Sequence, residues 1–203
     1  MTLGAHPVAA AIHLKNYEAS LAGARIGVDW VSAQTARLHE SDAARRSPGH
    51  GWIISEWENV ETWANLVLGF SDGSRAVVTA SFAMLGGVRN TFEVYATNSV
   101  IRADMTSNTS LTAFTPDPAA FVGEDLREKL ETNLGWNAVE VDGGWARGYP
   151  QEMQDFVDSI ASGRQPASGL QLACDVVEVI YSAYVSAASN RRVPLGLSLQ
   201  ATS

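Results

Sequence analysis

Cysteine is almost absent. Cys174 is the only one, so no intramolecular disulfide can form and a Cys-based zinc site is not expected. Cations are scarce too: 14 Lys and Arg stand against 22 Asp and Glu, a formal net charge of -8. Nucleic-acid phosphates are held by clustered Lys and Arg. The only adjacent basic pairs are Arg45-Arg46 and Arg191-Arg192, so no nucleic-acid partner is expected. No apolar run approaches a membrane span, and the first residues lack a signal-peptide pattern. No membrane partner is expected, and a cytoplasmic location follows as the natural expectation for a chain with one thiol. Internal repeats and low-complexity segments are also missing.

Two chemical patterns are absent as well. No G-x-G-x-x-G opens a helix after a strand, and Gly86-Gly87 is only a glycine pair. The chain by itself is therefore not expected to bind a dinucleotide or any other cofactor. The four histidines, His6, His13, His39 and His50, are scattered. His6 and His13 lie roughly two turns apart on one predicted helix, too far to share a metal. Cys174 reads as a small buried apolar residue within a helix.

What is present is a core. Of 203 residues, 46% are hydrophobic and 18% charged, enough to build one sizeable domain without staples. The organising stretch runs from Asn59 to Asp104. Ala64, Leu66, Leu68 and Phe70 alternate with Trp63, Asn65 and Val67. After Asp72-Gly73, Ala76, Val78, Ala80 and Phe82 alternate with Arg75, Val77, Thr79 and Ser81. The pattern predicts a hairpin with one core face and one half-polar face. Asp-Gly supplies the positive φ of the turn. Two more strands follow before Asp104.

The rest of the chain covers that sheet. A helix is predicted over Ala5–Leu14, with Pro7 tolerated in its first turn, and a strand within residues 24–39. Residues 40–58 read as a long loop with one short helical turn, anchored by Trp52 and Trp57. Short strands are expected within 107–115 and over 137–141. Met153, Phe156, Val157 and Ile160 fall at helical spacing, predicting a helix over Pro150–Ala161 that leaves at Gly163. Leu170–Ser189 reads as a longer helix stopped by Asn190, with Ala173, Val177, Ile180, Tyr181, Tyr184 and Ala188 on one stripe. A last short strand is expected within 193–199. Segregated strands and helices indicate an α+β fold: a largely antiparallel or mixed open sheet with helices on one face. The other face, with Trp63, Val67, Val77 and Thr79, is expected to form an oligomer interface, giving a homodimer or larger assembly.

Four stretches resemble the C-terminal half of Gfo/Idh/MocA-type oxidoreductases, the family of glucose–fructose oxidoreductase and inositol dehydrogenase. Leu3-Gly4-Ala5-His6-Pro7 is similar to the family's D-x-G-x-H-P element. Glu58-Asn59-Val60 through Gly69-Phe70-Ser71-Asp72-Gly73 resembles its "e-d-v-a … f-x-d-G" hairpin. Phe92 to Ser99 resembles its "i-E-v-x-G-t-x-G" strand turn, with Ala96 and Ser99 replacing glycines. Tyr149 to Phe156, then Ile160, Gly163, Arg164 and Pro166, resemble "y-x-x-E-x-x-x-F-x-x-a-I-x-x-G-r-x-P". Order and spacing make the resemblance specific, and it spans nearly the whole chain.

The resemblance implies a single C-terminal substrate-binding and oligomerisation domain over residues 1–203. In the family it follows a Rossmann domain that binds NAD or NADP and carries an E-K-P lysine. That domain is not part of these 203 residues, and the abrupt start leads one to expect sequence upstream. His6 falls at the histidine of the family's D-x-x-x-H pair, which orients a substrate hydroxyl and assists proton transfer. The aspartate position is Thr2, which cannot act as an acid or base at neutral pH. Arg89, Tyr149 and Trp52 are implied neighbours of a small sugar or polyol. A solvated arginine and a packed loop anchor are the alternative readings of Arg89 and Trp52. Two functions follow as expectations. The first is the substrate-binding half of an NAD(P)-dependent sugar or polyol oxidoreductase, completed by a Rossmann partner. The second is a non-enzymatic dimerising or ligand-sensing module derived from that family.

Overall fold

The computed structural model describes residues 4–46, 60–83, 89–104, 112–116, 134–138 and 148–195. The chain divides into two compact units: residues 1–83 with 167–203, and residues 84–166.

The first unit is a sheet with two long helices. α1 (Ala5–Ala22) leads through Gly23, which has φ 61°, into β1 (Val28–Ala36). The helix outruns its predicted end by two turns because its inward residues, Val8, Ala11, Ile12 and Ala19, keep helical spacing. A 3-10 turn (Leu38–Glu40) and the short α2 (Asp42–Arg46) follow. Residues 47–59, with Trp52 and Trp57, lie outside the described residues. β2 (Trp63–Phe70) and β3 (Arg75–Ser81) form the predicted hairpin. Its turn has three residues, not two. Gly73 N–H bonds to Phe70 O and Phe70 N–H to Ser74 O, both at 3.0 Å. Gly73 alone takes a positive φ, 88°. Asp72 instead uses its side chain, accepting from Ser74 N–H at 3.0 Å and Ser74 Oγ at 2.7 Å. That local bond is why Asp suits a turn even without positive φ.

The sheet order is β3-β2-β1-β8, antiparallel throughout, where β8 is Val193–Pro194. Register puts Val31–Leu68–Ala76 and Ala33–Leu66–Val78 in rows across the core face. Leu66, Leu68 and Val31 have no exposed surface, and each fully buried side chain of this kind stabilises the fold by about 1.5–3 kcal/mol. Rows Ser32–Val67–Val77 and Gln34–Asn65–Thr79 occupy the opposite, open face. The expected split into a core face and a half-polar face therefore holds.

α1 and α4 (Leu170–Ser189) complete the core. α4 begins and ends where the sequence indicates, with Asn190 in the left-handed region at φ 51°. Its buried stripe differs from the expected one. Val176, Val179, Ala183 and Ser186 face inward, while Ala173, Val177, Tyr181 and Ala188 are exposed. The helix is apolar on most sides, so periodicity alone allows two stripes. The small side chains of Ala183 and Ser186 let the backbone approach β1. Cys174 consequently lies exposed, not buried. α4 is also long and apolar enough to cross a membrane by length and composition, contrary to expectation. Its inward stripe packs in the sheet core, as a core helix does.

Two buried polar residues tie the layers. Ser186 Oγ donates to Arg191 O at 2.5 Å and accepts from Ala33 N–H at 3.0 Å. β8 pairs only with Trp30 and Val31, so Ser186 takes over for β1 where β8 stops. Thr62, 1% exposed, accepts at Oγ1 from Leu38 N–H at 2.9 Å. Its backbone bonds Ala36 O and Phe82 N–H. It thus joins the exit of β1, the entry of β2 and the end of β3.

Among its described residues the second unit contains two antiparallel strand pairs and a helix. β4 (Thr91–Tyr95) pairs with β5 (Val100–Asp104), and β6 (Thr112–Thr115) with β7 (Gly135–Ala138). α3 (Tyr149–Ser162) runs between Gly148 at φ 83° and Gly163 at φ 68°. Its apolar side, Met153, Phe156, Val157 and Ile160, is exposed. Residues 124–133, whose sequence allows either a helix or a charged excursion, lie outside the described residues.

Candidate functional site

His6 occupies the second position of α1. Its inward neighbours Val8, Ala11 and Ile12 take the core positions, which turns His6 outward, exposed. It makes no hydrogen bond among the described residues. Arg89 precedes β4 and is exposed; Tyr149 opens α3 and is 56% exposed. No bond links the two. Trp52 and Thr2 lie outside the described residues. Among the described residues no group of His, Cys, Asp or Glu is placed to hold a metal ion.

A second constellation, on the open sheet face, escaped the sequence reading. Trp30, Gly69 and Arg75 form one row across β1, β2 and β3. The Trp30 indole lies over Gly69 so closely that an added Cβ would sit 2.1 Å from Cε2. Only glycine admits this approach. The guanidinium of Arg75 lies 4.9 Å from the ring centroid and that of Arg192 4.7 Å, both within cation–π range. Arg75 Nη1 is pinned by Gly73 O and Ser74 O, each at 2.7 Å. The available signal was an isolated glycine inside a strand, which often marks close approach by another group.

At the opposite end of the sheet, Tyr184 of α4 donates to Glu61 Oε1 at 2.8 Å. Burial, then this bond to a carboxylate, pushes the Tyr184 phenol well above its ordinary range. The pair is a clamp between helix and sheet rather than an acid–base couple facing solvent.

The chain matches the oxidoreductase family C-terminal alpha/beta domain of the Gfo/Idh/MocA type over residues 2–195. It belongs to that family, as its C-terminal domain.

Solved structures agree. GenD2 from gentamicin A biosynthesis, in complex with NAD, is 27% identical with a TM-score of 0.63, covering 83% of this chain and 42% of that one. Myo-inositol 2-dehydrogenase from Lactobacillus plantarum shares the fold at 16% identity and TM-score 0.56, covering 84% and 43%. Aldose-aldose oxidoreductase from Caulobacter crescentus, complexed with glycerol, does so at 16% and 0.54, covering 95% and 46%. The chain thus spans less than half the length of these structures. No match was found among curated proteins.

Proposed function

We propose that the chain is the substrate-binding and oligomerisation domain of an NAD(P)-dependent sugar or polyol oxidoreductase. The family match over residues 2–195 carries this reading. The NAD complex of GenD2, the most similar of the three structures above, supports the choice of cofactor. A dinucleotide cradle opens a parallel βαβ unit, whereas the described strands pair antiparallel. On this reading NAD or NADP sits in a separate Rossmann domain, where it accepts the hydride.

On this reading His6 binds and orients a substrate hydroxyl and takes or returns its proton. Arg89 supplies hydrogen-bond donors to a hydroxyl or carboxylate, and Tyr149 and Trp52 offer ring faces to a sugar. The open sheet face makes the oligomer contact. With Thr2 at the aspartate position, His6 must act without its usual carboxylate partner. That same replacement favours the second reading, a dimerising or ligand-sensing module without catalysis.

The test joins this chain to a family Rossmann domain and assays NAD+ and NADP+ reduction on a panel of polyols. Turnover is expected, with His6→Ala lowering kcat/KM about a hundredfold. Fluorescence titration of the 203-residue chain alone with NADH should show no binding. Tight NADH binding by the chain alone would falsify the partition. Polyol binding without turnover in the fusion supports the sensing module.

A further inference from the structure

We propose that His39 and Thr62 form a proton-operated latch at the joint where β1, β2 and β3 meet. Neutral His39 closes it and protonated His39 loosens it. The latch does not depend on the substrate, only on how the sheet holds the chain between β1 and β2.

The chain leaves the sheet after Ala36 and returns at Thr62. Two bonds close that neck: Thr62 N–H to Ala36 O at 3.0 Å and Leu38 N–H to Thr62 Oγ1 at 2.9 Å. Thr62 is 1% exposed, so its hydroxyl proton needs an acceptor inside the protein. His39 Nδ1 lies 3.5 Å from Oγ1, and the His39 side chain is itself 12% exposed. Among the described residues Oγ1 makes no other bond that could take that proton. At the far edge of the ring, Nε2 lies 3.6 Å from Glu40 Oε1.

A carboxylate only accepts, so Glu40 favours a ring proton on Nε2 and leaves the Nδ1 lone pair for the Thr62 hydroxyl. Neutral His39 thereby satisfies the buried O–H. Protonation puts a hydrogen on Nδ1. Two donors, Leu38 N–H and Nδ1–H, then face Oγ1, and the Thr62 proton must turn away from its acceptor. A buried donor left without a partner is costly, while Glu40 draws the imidazolium outward. The joint therefore loosens. Among the described residues, the other charged groups on the elements meeting here are engaged elsewhere. Arg37 Nη1 shares Glu40 Oε1 at 3.2 Å, Arg45 Nε holds the Glu40 carbonyl at 2.8 Å, and Glu61, beside Thr62 in the chain, accepts from Tyr184.

Hydrogen exchange at the Leu38 amide, followed by NMR together with the His39 ring resonances between about pH 8 and 5, tests this. The neutral ring should carry its proton on Nε2. Leu38 protection, corrected for the intrinsic exchange rate, should fall about tenfold along the His39 titration, with Leu66 unchanged. His39→Gln should make Leu38 protection independent of pH, and Thr62→Ser should keep the wild-type response. A neutral ring protonated on Nδ1, or Leu38 protection that stays level while His39 titrates, overturns the latch. So does a fall that persists in His39→Gln. The two wild-type readings decide the matter even where a variant fails to fold.

Discussion

Lys15 of α1 and Asp72 of the β2–β3 turn meet at 2.6 Å, fastening the helix to the hairpin tip. Lys15 also pairs with Glu18 and lies 5.8 Å from the Phe70 ring centroid. Partial burial pushes the Asp72 carboxyl up, but hydrogen bonds from Lys15 and Ser74 outweigh it and bring it down to about 2, from 3.8. A depressed carboxyl contributes stability above its unfolded value, lost as pH falls through the folded value. Urea unfolding should therefore show an increment, on the order of 1 kcal/mol after solvent screening, disappearing between about pH 4 and 2. Asp72→Asn should lack that increment. Parallel pH profiles for the two proteins would discard the pair as a determinant.

Ser186 Oγ accepts from the Ala33 amide beyond the reach of β8. Ser186→Ala leaves that buried N–H without its partner and should cost about 1–3 kcal/mol. Hydrogen exchange at Ala33 should accelerate more than at Leu66, which sits in the same core row. A loss of stability with unchanged exchange at Ala33 would show the hydroxyl matters only through packing.

Gly69 and Trp30 should behave as one unit. Gly69→Ala places a methyl where the indole lies and should cost about 1–3 kcal/mol through forced displacement. In a Trp30→Leu background the same change should cost far less. The double-mutant cycle measures their coupling. Additive effects would mean that the ring moves aside freely and that Gly69 serves something other than close approach.

Tyr184 should ionise late. The sequence contains five tyrosines. An ultraviolet alkaline titration of the folded chain should leave one phenol protonated well past the ordinary range, and Tyr184→Phe should remove it. The shift is upward, so the Tyr184–Glu61 contact contributes stability below the unfolded phenol value and loses it as pH rises. If all five phenols of the wild type titrate together while far-ultraviolet dichroism stays native, the clamp is open in solution.

Much of the architecture was legible in residue order. Alternation set the two faces of β2 and β3, because side chains on a strand point to opposite sides at a period of two. Gly163 and Asn190 marked helix ends because left-handed caps favour those residues. His6 was singled out through the family pattern alone. Nothing in its local spacing distinguishes a site histidine from a solvated one. The α4 stripe was misread because an apolar helix has no unique inward side until a sheet is laid against it.

Residue order was enough for the strands, the caps, the acidic balance and the family of this chain, since those depend on local periodicity and residue type. Which side of α4 is buried, that Ser186 completes the hydrogen bonding of β1, and that Trp30 lies over Gly69 beside two arginines came from packing alone. Those facts depend on residues from 30 to 192 meeting across strand register and helix packing, and no local pattern encodes such distances.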